Sequence, residues 1–203
     1  MKTSIIYLSL TIVFLVTACE TKNAHNVVTD FDGHMYPTLT IGNKVWMAKN
    51  LQVTHYRNGD PVPNITDSTA WSNSTTGAYC NYNNDTNHVT TYGRLYNWYA
   101  IHDNRNIAPE GWHIPTDEEI TALVSWLEKD PASVNTLKQN GLGGYRFYSG
   151  GSYHTQNFNG YWWSTTRSFE LYDWSPRLFT GFADVQRNEY EGHYGLSIRC
   201  VKD

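Results

Sequence analysis

The sequence is poor in cysteine, in basic residues and in long apolar runs. With 3 Cys in 203 residues, intramolecular disulfides are limited to a single pair. Lys and Arg number 15 against 19 Asp and Glu, and there is no basic stripe, which argues against nucleic acid as a partner. No repeat period or low-complexity tract occurs, so a chain of this length is expected to form one domain.

The short motifs of common catalytic classes are also missing. There is no Gly-Lys-Ser/Thr phosphate loop, no HExxH zinc motif and no GxSxG nucleophile elbow. The eight His are scattered without a pair at metal-ligand spacing. Oxygen ligands for calcium at residues 81–85 or 30–33 are an alternative, but both stretches are explained more simply as Asx-rich turns. We therefore expect no catalytic residue, no cofactor and no metal.

The longest apolar run lies at the N-terminus. Residues 5–16 are apolar apart from Ser and Thr, which is too short for a permanent membrane span of about 20 residues. With Lys2 before it and small residues after it, the run predicts a signal peptide over residues 1–18. Its end, VTAC, resembles the bacterial lipobox, which implies lipidation of Cys19. Residues 19–29 are interpreted as a tether and residues 30–203 as the domain, held at a membrane of the cell envelope, expected to be the outer membrane.

Hydrophobic patterning predicts a mixed fold. Residues 35–51 alternate around Gly42-Asn43, which indicates a β-hairpin. Residues 95–101 have apolar residues at helical spacing. After residue 144, short aromatic and β-branched runs alternate with Gly, Asn and Ser, which predicts antiparallel strands and substantial loops. The order of strands, helices and strands is typical of an α+β arrangement.

The longest predicted helix follows a cluster of acids. Thr116 and Glu119 form a capping box, and the two acids between them favour the positive end of the helix dipole. His113, on an extended segment before this helix, is interpreted as a hydrogen-bonded structural residue. A second helix is predicted over residues 132–140. The apolar face of the first helix consists of Ile120, Leu123, Val124 and Leu127.

Several stretches together resemble one family. They are IGNKVWMAKNL (41–51), HYRNGDPVP (55–63), GAYCNYNND (77–85), YGRLYNWYAI (92–101), APEGWHIPTDEE (108–119), GGYR (143–146), GYWWSTT (160–166) and GLSIRCVKD (195–203). These motifs, in this order, resemble the Fibrobacter succinogenes major paralogous domain. The resemblance implies a secreted or lipid-anchored protein typical of Bacteroidetes, and it implies no known activity.

The layout is also similar to the wider C-type lectin-like fold, which includes the formylglycine-generating enzymes. The likeness rests on the PTDEE helix start and the terminal strand LSIRCVKD. It implies twisted antiparallel sheets flanked by two or three short helices, with long ordered loops. The late copper-binding cysteine pair of those enzymes has no counterpart here, so the likeness implies the fold alone.

Two further features leave alternatives open. Beyond the signal, Cys80 and Cys200 are the only cysteines, and they either form a disulfide in an oxidising compartment or remain two buried thiols. Ser68 lies in the sequence Asp-Ser-Thr, which resembles the O-glycosylation acceptor of Bacteroidetes. The alternative for Ser68 is a capped turn.

The unusual aromatic content, 8 Trp and 15 Tyr, points to binding. A sugar ring stacks its C–H face on Trp or Tyr while its hydroxyls take polar partners. Trp46, Trp98 and Trp112 are assigned to the core, and one of Trp162 and Trp163 is expected to reach a surface. The candidate ligand-binding residues are Trp163, Tyr172, Trp174, Arg177, Arg187, Asn188 and Tyr190.

Three functional hypotheses are consistent with the sequence. The first is a non-enzymatic, lipid-anchored envelope protein whose lectin-like domain binds a glycan or a partner protein. The second is a structural or assembly component of a surface complex with no small ligand. The third, an enzyme of unrecognised type, lacks any convergent group of residues in its support.

Overall fold

The computed structural model describes residues 27–127, 129–130, 135, 137–169, 172–179 and 185–203. Within these residues the strands are β1 (Val27–Thr29), β2 (Met35–Ile41), β3 (Lys44–Met47), β4 (Tyr79–Cys80), β5 (Leu95–Tyr96), β6 (Trp112–His113), β7 (Tyr145–Arg146), β8 (Tyr153–His154), β9 (Asn159–Tyr161), β10 (Arg167–Phe169), β11 (Tyr172–Phe179), β12 (Val185–Glu191) and β13 (Val201–Lys202). The α-helices are α1 (Ser68–Ser72), α2 (Val89–Tyr92), α3 (Trp98–Ile101) and α4 (Asp117–Leu127), and two 3₁₀ turns span Tyr82–Asn84 and Thr86–His88.

Antiparallel sheets and short helices give the predicted α+β class. A five-stranded sheet has the order β1-β2-β3-β13-β6, so the last strand of the chain lies between two early ones. In a second sheet, β11 pairs with β10, β12 and β9. The two-stranded sheets β4-β5 and β7-β8 complete the described pairings. Because β13 lies between β3 and β6, Cys200 and Val201 are fully buried in the domain.

The hairpin predicted at Gly42-Asn43 is confirmed. Ile41 pairs with Lys44 across a two-residue connection, and Gly42 has φ 62°, the conformation that such turns require and that glycine adopts without steric cost. The predicted tether, in contrast, extends too far. Residues 27–29 form strand β1, which pairs with β2. The side chains alternate along this strand, so that Val28 is buried while Val27 and Thr29 are exposed.

The helix predicted over residues 95–101 is wrong in its first half. Leu95 and Tyr96 form β5, and the helix α3 begins only after Asn97. The Asn97 side chain caps α3 by accepting a hydrogen bond from the Ala100 amide at 3.1 Å, and it also accepts one from the Ala78 amide at 2.9 Å. Pairing of β5 with β4 thus outweighs the helical spacing of the side chains.

The capping box at α4 is confirmed. The Glu119 amide donates to Thr116 Oγ1 at 3.3 Å, and the Thr116 amide donates to Glu119 Oε2 at 3.1 Å. His113 has the structural role predicted for it, because its ring nitrogens lie 2.9 Å from Glu119 Oε2 and 2.6 Å from Asp203 Oδ1. Lys44 Nζ completes the cluster at 2.9 Å from Glu119 Oε1. The acids of this cluster therefore hold elements together.

The Glu119→Gln change is expected to lower the free energy of unfolding by about 1 kcal/mol at pH 7. Burial opposes ionisation of Glu119, but hydrogen bonds from Lys44, the Thr116 amide and His113 outweigh it and lower the pKa of the carboxyl. A depressed folded-state pKa stabilises the protein above the unfolded pKa of about 4.3, and this contribution is lost as pH falls through the folded value.

Urea unfolding at pH 7 and at acid pH measures this effect. The difference between wild type and Glu119→Gln should shrink as the pH is lowered below about 4. Glu118→Gln is the matched control, since Glu118 lies in the same helical turn and is exposed. Equal losses in both variants would contradict the role assigned to Glu119.

The core has two main parts on either side of the central sheet. The larger contains Trp98, Trp112 and Trp163, and the smaller packs the α4 face against Trp46 and Trp162. The assignment of Trp46, Trp98 and Trp112 to the core is confirmed, since each is buried. On α4 the residues Ile120, Leu123 and Leu127 are buried, and Val124 is partly buried against them. Of the second predicted helix, 132–140, the structure describes residues 135 and 137–140, and all of these except the last are helical.

Candidate functional site

Trp163 does not reach the surface. Its side chain is 0% exposed, and its indole Nε1 donates to the Tyr96 carbonyl oxygen at 2.8 Å. Trp162 is buried as well and donates to Asn50 Oδ1 at 2.8 Å. The two rings join different core clusters, as adjacent residues of an extended segment should. Both faces of this segment are covered, so the expectation that one of the two rings is exposed is wrong.

Six candidate residues lie on the β11–β12 ribbon, and the side chains of all but Tyr190 fall outside the described residues. The register pairs Tyr172 with Glu191 and Trp174 with Glu189. Arg187 lies opposite Pro176, Asn188 opposite Ser175, and Arg177 opposite Gln186. Because faces alternate along a strand, positions 172, 174 and 187 share one face of the ribbon, and positions 177, 188 and 190 share the other. The predicted set is therefore divided between two faces.

Tyr190 belongs to a group of stacked rings that we call the tyrosine cluster. Its ring lies 4.9 Å from that of Tyr194 and 5.8 Å from that of Tyr161, in T-shaped contacts. Such edge-to-face pairs are favourable arrangements of aromatic rings. The members of the cluster are Tyr145, Phe147, Tyr148, His154, Tyr161, Tyr190 and Tyr194.

Strand β7 positions one side of the cluster. Arg146 is fully buried and donates to the carbonyl oxygens of Ile65 and Thr66 at 2.6 and 3.0 Å. Alternation along the chain then turns its neighbours Tyr145 and Phe147 outward, where both are half-buried. The β7–β8 pairing places Tyr145 opposite His154, and their rings stack at 5.1 Å.

The turn after β12 supplies the other side. A bridge between Arg146 and Gly195 brings the preceding residue, Tyr194, against β7. The centroid of the Tyr194 ring lies 5.5 Å from that of Phe147 and 5.3 Å from that of Tyr148. Tyr161 is the buried base of the cluster, whereas Tyr148 is 39% exposed. The cluster is thus open to solvent at its outer rings and rigidly supported beneath.

Glu191 and His193 form the polar edge of the cluster. Glu191 Oε1 lies 2.5 Å from His193 Nδ1, and Trp71 Nε1 fixes the turn by donating to the His193 carbonyl oxygen at 2.7 Å. Glu191 ends strand β12 with a side chain that is only 19% exposed. Its Oε2 is buried and has no hydrogen-bond partner among the described residues.

Burial favours the protonated hydroxyls of Tyr194 and of the neighbouring Tyr99 by raising the pKa of each. Burial, followed by the neighbouring tyrosines and Glu191, raises the pKa of Tyr194 to about 12. The pKa of Tyr99 is likewise raised by burial and by the Glu191 charge. Neutral phenols donate as well as accept hydrogen bonds. The site therefore offers apolar ring faces together with hydroxyl donors and a carboxylate.

A groove of about 470 Å³ adjoins the polar edge. Tyr99 lies between the groove and the polar edge. The centroid of its ring is 5.6 Å from that of His193 and 5.4 Å from that of Trp98. The face of Trp98 is covered by His102 at 4.2 Å and by the Arg167 guanidinium at 4.7 Å. The groove also presents the hydroxyl-bearing residues Thr75 and Thr76. Tyrosine cluster, polar edge and groove form one aromatic surface with polar borders.

Nucleophilic or metal chemistry finds no support at this surface. Over the described part of the chain, no three His, Cys, Asp or Glu residues are grouped to hold a metal ion. Cys80 and Cys200 are both free and buried, so of the two alternatives the structure shows buried thiols and no disulfide. Burial raises the pKa of Cys80 to about 11 and also raises that of Cys200, which disfavours the reactive thiolate.

Neither thiol is expected to react with Ellman's reagent in the native protein, because the thiolate is disfavoured and both sulfurs are buried. Unfolding in denaturant should expose Cys80 and Cys200, so that both thiols react. This reaction of the unfolded protein is the internal control. Prompt reaction of the folded protein would contradict the burial. An unfolded, unreduced chain without these two free thiols would indicate a disulfide.

Ser68 begins helix α1. Asp67 caps this helix by accepting from the Ala70 amide at 2.8 Å, which is the capped turn foreseen as the alternative to glycosylation. Ser68 itself is half-buried. Its glycosylation stays a prediction, while the local role of Asp67 is structural.

One protein-family model matches most of this chain. The family model described as the Fibrobacter succinogenes major domain matches residues 39–202. The chain belongs to this family. No curated protein matches the chain, so the family relationship carries no activity with it. In the described part of this family member, no helix is both long and apolar enough to cross a membrane.

The residues missed from the sequence alone are mainly those of β7 and β8. Tyr145, Phe147, Tyr148 and His154 come together with Tyr190 and Tyr194 only through long-range pairing. A local signal did exist, because GYRFY places an arginine between aromatic residues in a short alternating run. Such a run predicts that the arginine and its aromatic neighbours face opposite sides.

Proposed function

We propose that the protein is a non-catalytic, lipid-anchored component of the cell envelope that binds glycan through the tyrosine cluster. The observation that carries this proposal is the open, supported set of rings around Tyr148 and Tyr194, bordered by Glu191 and His193. Stacked rings offer large contact area at low conformational cost, and they combine an apolar face with a polar tip. This combination matches the C–H face and hydroxyl rim of a sugar ring.

The groove beside Tyr99 extends the surface to more than one sugar unit. Its volume of about 470 Å³ lies within the range of about 300–1,000 Å³ found for ligand pockets. Tyr99 provides an aromatic wall, and Thr75, Thr76 and Asn104 provide polar partners. A short oligosaccharide would span the cluster and the groove across the Tyr99–His193 contact. The α+β architecture with this loop-borne surface also supports the proposed C-type lectin-like fold.

The anchoring part of the proposal rests on the lipobox-like sequence before Cys19. Several acyl chains on one residue hold a protein firmly at a bilayer. Intact-mass analysis of the protein purified from membranes should show a chain that begins at Cys19 with its lipid adduct. A mature chain beginning elsewhere and carrying no lipid would overturn the anchoring.

A glycan array probed with the detergent-solubilised protein tests the binding. We expect retention on a restricted set of glycans, and we expect it to be weakened by the Tyr148→Ala change at the exposed edge of the cluster. Absence of binding to every glycan, combined with co-purification of an envelope protein, would favour the second function, an assembly component without a small ligand. Binding that is unaffected by changes in the cluster would place the site elsewhere.

A further inference from the structure

The outer face of the β1–β2 hairpin is apolar and exposed. Thr29 pairs with Met35 and Val27 pairs with Pro37, and directly paired residues share a face of the ribbon. Met35 is 71% exposed and Val27 is 48% exposed. Phe31, at the turn between the strands, is 56% exposed. The Phe31 ring lies against that of His55, with a centroid distance of 5.8 Å, so we call only Val27, Met35 and Pro37 the hairpin face.

The carboxylates of this hairpin turn inward, which is the reverse of an ordinary surface turn. Asp30 is buried and accepts hydrogen bonds from the Tyr36 hydroxyl and from the His34 amide. Asp32 accepts from the Thr54 amide at 2.5 Å and lies 2.6 Å from His55 Nδ1. Both acids are satisfied within the protein. The hairpin face can therefore leave water without stranding an unpaired charge.

Chain connectivity places this face next to the predicted anchor. Eight peptide units separate Cys19 from Val27, and even a fully extended chain covers at most about 3.6 Å per residue. A lipid on Cys19 would thus hold Val27 within roughly 30 Å of the bilayer surface. The exposed side chains of Val27 and Met35 lie at this end of the chain.

We propose that the hairpin face docks onto the lipid bilayer, with Val27 and Met35 inserted at the boundary between headgroups and acyl chains. The inference rests on the proposed lipidation of Cys19, because these side chains alone bind a membrane weakly, whereas an anchor raises their effective concentration at its surface. Docking fixes the orientation of the domain. The tyrosine cluster on β7, β8 and the β12 turn then remains free to reach a ligand.

Quenching by brominated lipids tests the docking on the full lipidated protein. Met35→Cys is labelled with an environment-sensitive fluorophore and reconstituted into phosphatidylethanolamine–phosphatidylglycerol vesicles whose acyl chains carry bromine. Cys80 and Cys200 are buried and stay unlabelled in the folded protein. Ser149→Cys is the matched control, since Ser149 is exposed beside the tyrosine cluster. Val27→Cys provides a second position on the hairpin face.

Labels at residues 35 and 27 should be quenched at least about threefold more than the label at residue 149, because inserted side chains reach about 5–10 Å into the bilayer boundary. Equal, weak quenching at all three positions, with the lipid on Cys19 confirmed by mass, would overturn the docking while leaving the anchor intact. A blue-shifted label without bromine quenching would mean that a second copy or a protein partner covers the face, which also overturns it. A chain without lipid on Cys19 would instead disprove the anchoring itself.

Discussion

Replacing Arg199 with methionine is expected to lower the free energy of unfolding by about 3 kcal/mol. Arg199 is 2% exposed, and within the part of the chain that the structure describes it pairs with no carboxylate. Its guanidinium donates to Asn50 Oδ1 at 2.9 Å and to the Asn140 carbonyl oxygen at 3.1 Å. Burial lowers the pKa of Arg199, so neutral acceptors must stabilise this charge.

The free energy of unfolding falls because the oxygen atoms that accept hydrogen bonds from the Arg199 guanidinium lose their donor. Methionine is apolar and fills much of the same space beside Trp162, over whose ring the guanidinium lies at 4.9 Å. The carbonyl oxygens of Leu137 and Asn140 would lose their donor in a buried setting and could not regain water. Residues 137–141 are therefore expected to loosen first.

Urea unfolding at pH 7 measures the change, with Lys202→Met as the matched control. Lys202 is three residues away, exposed, and lies in strand β13. A surface substitution of this kind usually changes the stability by less than about 0.5 kcal/mol. A loss below about 1 kcal/mol in Arg199→Met would contradict the role given to the buried guanidinium.

Tyr148→Ala is expected to weaken glycan binding about tenfold, which corresponds to about 1.4 kcal/mol. Tyr148 is the most exposed tyrosine of the cluster, and its ring packs on Phe147 and Tyr194 at 4.7 and 5.3 Å. Aromatic residues in such supported positions dominate binding energies at many interfaces. The partial exposure of the ring means that the fold should tolerate its removal.

Titration calorimetry with the glycan selected by the array measures the affinity. Phe31→Ala is the matched control, since it removes another exposed aromatic ring at the β1–β2 turn, away from the cluster. We expect Phe31→Ala to bind with unchanged affinity in detergent. Equal weakening in both variants, or none in Tyr148→Ala, would contradict the location of the site.

Local sequence rules predict the parts of the fold that local contacts decide. The hairpin at Gly42-Asn43 and the capping box of Thr116 and Glu119 depend on residues within a few positions of one another. His113 was interpreted correctly because its extended segment lies directly before the capped helix. These elements form wherever backbone conformation and side-chain hydrogen bonds agree.

Long-range packing decides the features that the sequence leaves open or gives wrongly. Helical spacing over residues 95–101 is overridden because Asn97 bonds to the Ala78 amide, nineteen positions earlier. Trp162 and Trp163 are both buried because separate core clusters cover both faces of their segment. Local rules do not identify the acceptors that hold the buried arginines, Arg146 and Arg199, since these include carbonyl and amide oxygens distant in sequence.

The candidate site likewise depends on both local and long-range contacts. Tyr190 packs against Tyr194, four residues later in the chain, whereas Tyr145 and Tyr148, which also contact Tyr194, lie more than forty residues earlier. The bridge between Arg146 and Gly195 brings the two segments together. The predicted residues on β11 and β12 keep their status as predictions, because only their backbone register is described.

The most direct test of the binding surface is an NMR titration of ring-labelled tyrosines with the selected glycan. The predicted result is that the resonances of Tyr148, Tyr190 and Tyr194 shift together, while those of the core residues Tyr36 and Tyr56, both 0% exposed, stay in place. Shifts confined to tyrosines outside the cluster, or no shift at saturating glycan, would contradict the proposed function.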